Sequence, residues 1–208
     1  MGNLNDRRPI AARGSAWAQR LSAALAASAI TPNQISVASI FFALVGALML
    51  LVAPTTLGLL VCALCVQLRL LCNLLDGMVA MEGGKQSATG ALYNEFPDRI
   101  ADSLLIVALG YAAGLPWLGW LGALLAALTA YVRLAGGSVG LTQDFRGPMA
   151  KQHRMAVLTA ACILAVVELH SSGTGYVLPA AAAIIALGAL LTCVTRTLAM
   201  ARQLRARS

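Results

Sequence analysis

Apolar residues fall in six runs along this chain, at positions 35–52, 57–81, 90–113, 118–137, 155–169 and 177–200, and that pattern limits what it can fold into. A bilayer core asks for about 20 helical residues per crossing, and within it every backbone N–H and C=O must find a partner inside the protein. Of the 208 residues, 59% are hydrophobic and only 11% charged, which excludes both an ordinary soluble domain and a disordered chain. The expectation is an all-α membrane protein with six transmembrane helices and an N-terminal interfacial amphipathic helix. Its divisions are a cytoplasmic arm and interfacial helix at 1–34, a membrane domain at 35–200 and a basic tail at 201–208.

The amphipathic helix is read from residues 12–28. Trp17, Leu21 and Leu25 fall on one side there, with Arg13 and Arg20 on the other. A frayed arm is the plainer alternative. The first residues contain Asp6 and no apolar core, so they are not expected to act as a secretory signal. Asp6 also stands where a myristoylation motif needs Ser or Thr. All five cysteines, Cys62, Cys65, Cys72, Cys162 and Cys193, sit in apolar runs. Cys62 and Cys65 have CxxC spacing without a companion His or second pair. Buried thiols are expected, with neither a disulfide nor zinc.

Orientation follows from the basic residues. The turns near 53–57, 114–117 and 169–176 contain no Lys or Arg, whereas the termini, the stretch 73–102 and the segment after residue 133 hold nearly all of them. Six spans with both termini in the cytoplasm fit this distribution, in the cytoplasmic (inner) membrane. The net charge of +7 is expected to meet anionic lipid and anionic substrate, with no nucleic-acid partner.

Against this oily background, Asp76, Glu82, Glu95, Asp98 and Asp102 crowd into thirty residues. An ionisable group at membrane depth costs about 2.5–3.5 kcal/mol on insertion scales, so such a cluster points to function. Asn73 and Asp76 share one helix face; Asn94, Asp98 and Asp102 share another. Two helices joined by a loop over 83–89 could close both faces around one hard cation. Mg²⁺ takes oxygen ligands, commonly one or two carboxylates plus substrate phosphates, and Asn73, Asp76, Asn94 and Asp98 can supply them. Glu95 joins this set only if Pro97 distorts its turn. Gly77 and Gly90 would let a ligand approach the backbone closely, and Pro97 frees the carbonyl of Tyr93. Arg69 lies seven residues before Asp76, deeper in the bilayer, as Asp102 does on its own span. A structural Arg69–Asp102 ion pair is the expectation. A second constellation, Arg133, Arg146, Lys151, His153 and Arg154, forms a basic mouth. It suits either anionic lipid or an anionic, phosphorylated acceptor.

The stretch 73–98 resembles the signature of the CDP-alcohol phosphatidyltransferases, D-x2-D-G-x2-A-R-x8-G-x3-D-x3-D, with every spacing kept. Asn73 stands at the first Asp, Asp76 and Gly77 at the second Asp and its Gly, and Ala80 at the Ala. Met81 stands at the Arg, Gly90 at the later Gly, Asn94 at the third Asp and Asp98 at the fourth. The six-span plan and the Thr31-Pro32-Asn33 start of the first span also resemble that family. The resemblance implies that an acceptor hydroxyl attacks the lipid-side phosphorus of a CDP-linked lipid such as CDP-diacylglycerol, with CMP leaving. It implies Mg²⁺ (or Mn²⁺) held by the motif positions, Asp98 as general base and a homodimer. It also implies nucleotide contacts by Asn73, Gly77, Ala80 and Gly90. Met81 cannot bind phosphate, so Lys85 is the expected substitute. With two Asp replaced by Asn, one tightly held Mg²⁺ is expected, a second coming with the diphosphate. The rival readings are a degenerate relative that binds CDP-lipid without turnover and a small membrane transporter. A transporter would repeat its broken helices in two halves, and no such repeat is visible.

Overall fold

The computed structural model describes residues 11–207, and is helical throughout apart from its connections. Residues 1–10 of the expected arm and Ser208 of the expected tail lie outside the described residues. A short 3-10 turn at Ala11–Gly14 leads into α1 (Ala16–Ala27). Then come α2 (Pro32–Val52), α3 (Thr56–Met81), α4 (Gly90–Ala112), α5 (Pro116–Ser138), α6 (Lys151–Ser171) and α7 (Val177–Arg205). Five of these, α2, α3, α5, α6 and α7, are long and apolar enough to cross a membrane by length and composition. Besides the short α1, the exception is α4. At 23 residues it matches α5 in length, but it carries Glu95, Asp98, Arg99 and Asp102.

Local chemistry sets the helix starts. Thr31 closes a capping box with Gln34, and Pro32 occupies the first helical position, where a missing N–H costs nothing. Thus Thr31-Pro32-Asn33 starts α2. Thr55 caps α3 by accepting from Gly58 N at 3.3 Å. Glu168 accepts from the backbone of Tyr176 and Val177 to cap α7. Two helices extend beyond their apolar runs. α6 begins at Lys151, placing Lys151, His153 and Arg154 in its first turn, and α7 continues to Arg205. Hydropathy marks where a helix is greasy; Lys, Gln and Arg prolong it because they are good helix formers.

α4 is the inner element, packed against α2, α5 and α7. Its crossing with α5 is close because Gly110 faces Gly119: a Cβ on Gly110 would lie 2.4 Å from the Gly119 Cα. The main core runs through Leu50, Leu59, Leu105, Leu118, Leu158 and Ile185, joining the six helices α2 to α7. α1 lies against α3, burying Ala18 beside Leu74 and Met78, while Trp17 remains 53% exposed. This is the small-residue-in, aromatic-out pattern of a helix resting in a membrane interface. The five cysteines are free thiols, four of them buried.

Candidate active site

The acids of the motif lie where the last turns of α3 meet the first half of α4. Asp76 is buried on α3. Ser36, one turn into α2, donates its hydroxyl to Asp76 Oδ2 at 2.6 Å, and Gly77 N donates to Oδ1 at 2.6 Å. Both oxygens of this carboxylate are therefore oriented before any ligand arrives. Asn73, one turn earlier, is half-buried, and its side-chain nitrogen has no hydrogen-bond partner. Amide nitrogen and oxygen are interchangeable in assignment, so this terminus can equally present an oxygen.

Asp98 is buried on α4 among cations. Lys151, at the start of α6, donates its ammonium to Oδ2. Arg69 of α3 stands 3.4 Å from Oδ1 and Arg99 stands 3.6 Å from Oδ2. Asp76, Asp98 and Lys151 lie within electrostatic reach of one another. One turn deeper, Asp102 is gripped on both sides, by Arg69 at 2.6 Å and Arg154 at 2.8 Å. The expected Arg69–Asp102 pair is present, and Arg154 enlarges it to a triad with all three side chains at most 3% exposed.

Three expected site residues stand elsewhere. Arg154, placed with the acceptor mouth by its sequence position, is buried, its guanidinium taken up by Asp102 and by the carbonyl of Met149 at 2.8 Å. Lys85, expected on phosphate, instead donates to the carbonyls of Ser28 and Ile30 just beyond α1, the latter at 3.1 Å. A lysine at a helix C-terminus satisfies orphan carbonyls and the negative end of the dipole, which explains its choice of partner. Glu95, on a different face from Asp98, pairs through Oε1 with Arg133; its Oε2 is buried without a hydrogen-bond partner.

The remaining expected residues lie around the same end. Asn94 is exposed at the start of α4, and Gly77, Ala80 and Gly90 are half-buried along the α3–α4 corner. Arg133 is held by Glu95 and Gln143 and lies 5.3 Å from the ring centroid of Phe145, a cation–π distance. Arg146 is exposed and makes a bidentate pair with Asp144 at 3.0 and 2.9 Å. Those bonds hold the Asp144 carboxyl below the usual carboxylate range. His153 is exposed and its Nδ1 meets the Pro148 carbonyl at 2.9 Å.

Residues that sequence reasoning missed hold the frame. Ser36 orients Asp76, and its only signal is a hydroxyl three residues after Asn33. On α7, Arg196 donates to the carbonyls of Arg146 and Thr129, both at 2.7 Å, and Thr192 accepts from Met149 N at 2.9 Å. Together they fasten the 139–150 connection to the bundle. Arg196 reads in sequence as one more cation near a basic end, and nothing in its neighbours marks it.

Among the described residues, no three His, Cys, Asp or Glu side chains converge closely enough to hold a metal ion by themselves. Two carboxylates and one or two amides nevertheless fit a hard divalent cation, provided a ligand supplies further oxygen atoms. A buried carboxylate pair and a basic rim thus stand together at one end of an oily frame.

That is the framework of a CDP-alcohol phosphatidyltransferase, and the chain belongs to this family: the family's model matches residues 29–195. Among curated relatives, the archaetidylinositol phosphate synthase of Aeropyrum pernix is 34% identical over 143 residues, covering 68% of this chain and 70% of that protein. The phosphatidylinositol phosphate synthase of Streptomyces avermitilis is 29% identical over 143 residues, 63% of this chain and 57% of its own length. Among solved structures, the phosphatidylinositol phosphate synthase of Mycobacterium tuberculosis with CDP-DAG bound superposes with a TM-score of 0.73 at 20% identity, covering 89% of this chain and 94% of that one. The same enzyme in complex with manganese and citrate gives 0.73 at 20% identity, over 88% of each chain. At that identity the likeness shows the shared fold. The chain is thus an integral membrane transferase of phospholipid synthesis.

Proposed function

We propose that this protein transfers a phosphatidyl-type group from CDP-diacylglycerol, or a similar CDP-lipid, to a phosphorylated alcohol of the inositol phosphate class, releasing CMP. The observation that carries it is the placement of Asp76 and Asp98 on adjacent helices, buried, preoriented and beside the basic end of the bundle. Asp76, Asp98 and Asn73 would hold the divalent cation, physiologically Mg²⁺, with Asn94 at the rim. When bound, that ion neutralises diphosphate charge and polarises the phosphorus under attack. Asp98 accepts the proton of the acceptor hydroxyl, for which it must be ionised and within hydrogen-bond reach. Lys151 and Arg69 stand against its two oxygens. Gly77, Ala80 and Gly90 line the corner where the cytidine diphosphate would lie. Arg133 and Arg146, with His153 beside them, receive the acceptor's own phosphate. Their present partners Glu95 and Asp144 would be exchanged for phosphate oxygens.

The inositol phosphate reading is supported by the names of both curated relatives and by this basic rim. Active site and termini face the cytoplasm, where CDP-lipid headgroup and divalent ion are available. The working unit is a homodimer. The test is CMP release from labelled CDP-diacylglycerol by the full chain in nanodiscs, with Mg²⁺ and a panel of inositol phosphate, glycerol phosphate and serine. Release with inositol phosphate supports the assignment; release only with another alcohol changes the acceptor. Binding of CDP-lipid without CMP release for any acceptor identifies a degenerate relative.

A further inference from the structure

Three acids are buried at the α3–α4 site, Asp76, Asp98 and Asp102. Three cations are held against them: Lys151 on Asp98, and Arg69 and Arg154 on Asp102. The formal charges, three negative and three positive, cancel. Arg99, 3.6 Å from Asp98 with a quarter of its side chain exposed, tips the balance towards positive. Glu95 adds nothing to this sum because Arg133 neutralises it. Asn73 and Asn94 bring oxygens without charge.

A carboxylate cluster that is already neutral has little reason to attract a bare divalent cation. Like charges repel strongly where little water screens them, and a divalent ion doubles the repulsion from each fixed cation. Lys151 is the decisive group. Its ammonium touches Asp98 and is within electrostatic reach of Asp76, the two carboxylates that would bind metal. A diphosphate reverses the sign, because its negative charges compensate the added ion and give Lys151 a new partner.

We infer that Lys151 is a built-in counter-ion of Asp98 that takes the place of one divalent cation, so that metal is retained only together with the nucleotide's diphosphate. This rests on the transferase reading above and gives Lys151 a positioning role in place of acceptor binding. Coupling of this kind is reciprocal: the factor by which CDP tightens metal is the factor by which metal tightens CDP.

The experiment measures Mn²⁺ retention by electron paramagnetic resonance on the purified full chain, with and without CDP as the soluble probe. Wild-type protein is expected to hold Mn²⁺ weakly alone and on the order of tenfold or more tightly with CDP. Lys151→Gln is expected to tighten Mn²⁺ in the absence of CDP by a similar factor, about tenfold, since it removes one fixed positive charge. Lys151→Arg, which keeps the charge, should behave as wild type and controls for damage to the start of α6. Equal Mn²⁺ affinity with and without CDP in the wild type overturns the inference alone, as does a Lys151→Gln protein unchanged from wild type. Failure of every form to retain Mn²⁺ even with CDP overturns the transferase reading and takes this inference with it.

Discussion

Asp98 and Asp102 are one helical turn apart on α4, yet their surroundings give them different work. Asp102 sits between two arginines in a triad that solvent barely reaches, an arrangement suited to holding helices together. Asp98 meets a lysine, one edge of Arg69 and the partly exposed Arg99, and keeps 10% of its side chain exposed. Asp98→Asn is therefore expected to lower CMP release by about 10²–10⁴-fold, the usual contribution of a positioned general base. Full turnover in that variant would remove Asp98 from the mechanism. Arg69→Met should act on stability: breaking a buried pair leaves uncompensated charge and costs about 3–5 kcal/mol, read as a lowered thermal midpoint in detergent. The Arg69–Asp102 pair was legible in sequence because two deep opposite charges in a membrane chain must meet. Arg154 was not, since its position just before the next apolar run suggested a loop. The partners of Lys85 were not legible either, since the two carbonyls beyond α1 that it meets are invisible in a linear reading.

At the level of elements, α1 and the 139–150 connection form a rim fastened to the bundle by side chains. Lys85 ties the end of α1 to the α3–α4 corner, and Gly83 allows the approach, since a Cβ there would lie 2.7 Å from Ala26 Cβ and 2.5 Å from Val79 O. Lys85→Ala should cost about 0.3–1 kcal/mol through the lost helix-terminus interaction, seen as faster amide exchange at the end of α1 with α3 unchanged. The connection 139–150 is held on its inner side by Arg196 and Thr192, and on its outer side by the Asp144–Arg146 pair. Because Asp144 has a depressed folded-state pKa, its contribution is complete above the ordinary carboxylate range and is lost as pH falls through the folded value. Order in this connection should be constant from neutral pH to about 5 and decline below about 4. Fluorescence of a probe at Thr142 would follow it, and Asp144→Asn should abolish the acid-side change. Sequence placed all seven helices because apolar runs and Pro or Thr signals mark them. It missed the first turn of α6 and the end of α7, where helix continues in residues too polar for a hydropathy pattern to register.

The whole bundle has one charged end and one bland end. The connections at 53–55, 113–115 and 172–176 carry no Lys or Arg, and Thr56 and His170 meet there across a 2.9 Å hydrogen bond. At the opposite end lie Lys85, Arg133, Arg146, Lys151, and Arg207, which donates to the Gly140 carbonyl. Lys and Arg are retained on the cytoplasmic side during insertion, so the charged end, with the Asp76–Asp98 site just beneath it, should face the cytoplasm. The five native cysteines are mostly buried, which makes the protein suited to single added cysteines. In sealed cells, a membrane-impermeant thiol reagent should label Ser172→Cys from outside and leave Thr142→Cys untouched until the membrane is opened. This polarity also decides the fate of α4. Five helices alone, starting from a cytoplasmic α2, would put α5, α6 and α7 in the reverse order and leave Ser172 and Thr142 with exchanged accessibility. With the charged end in the cytoplasm, α4 is expected to cross despite its acids, the deepest of which Arg69 and Arg154 neutralise within the bundle. Labelling of Thr142→Cys from outside would mean that α4 stays on one face, and the site built on it would lose its cytoplasmic substrate.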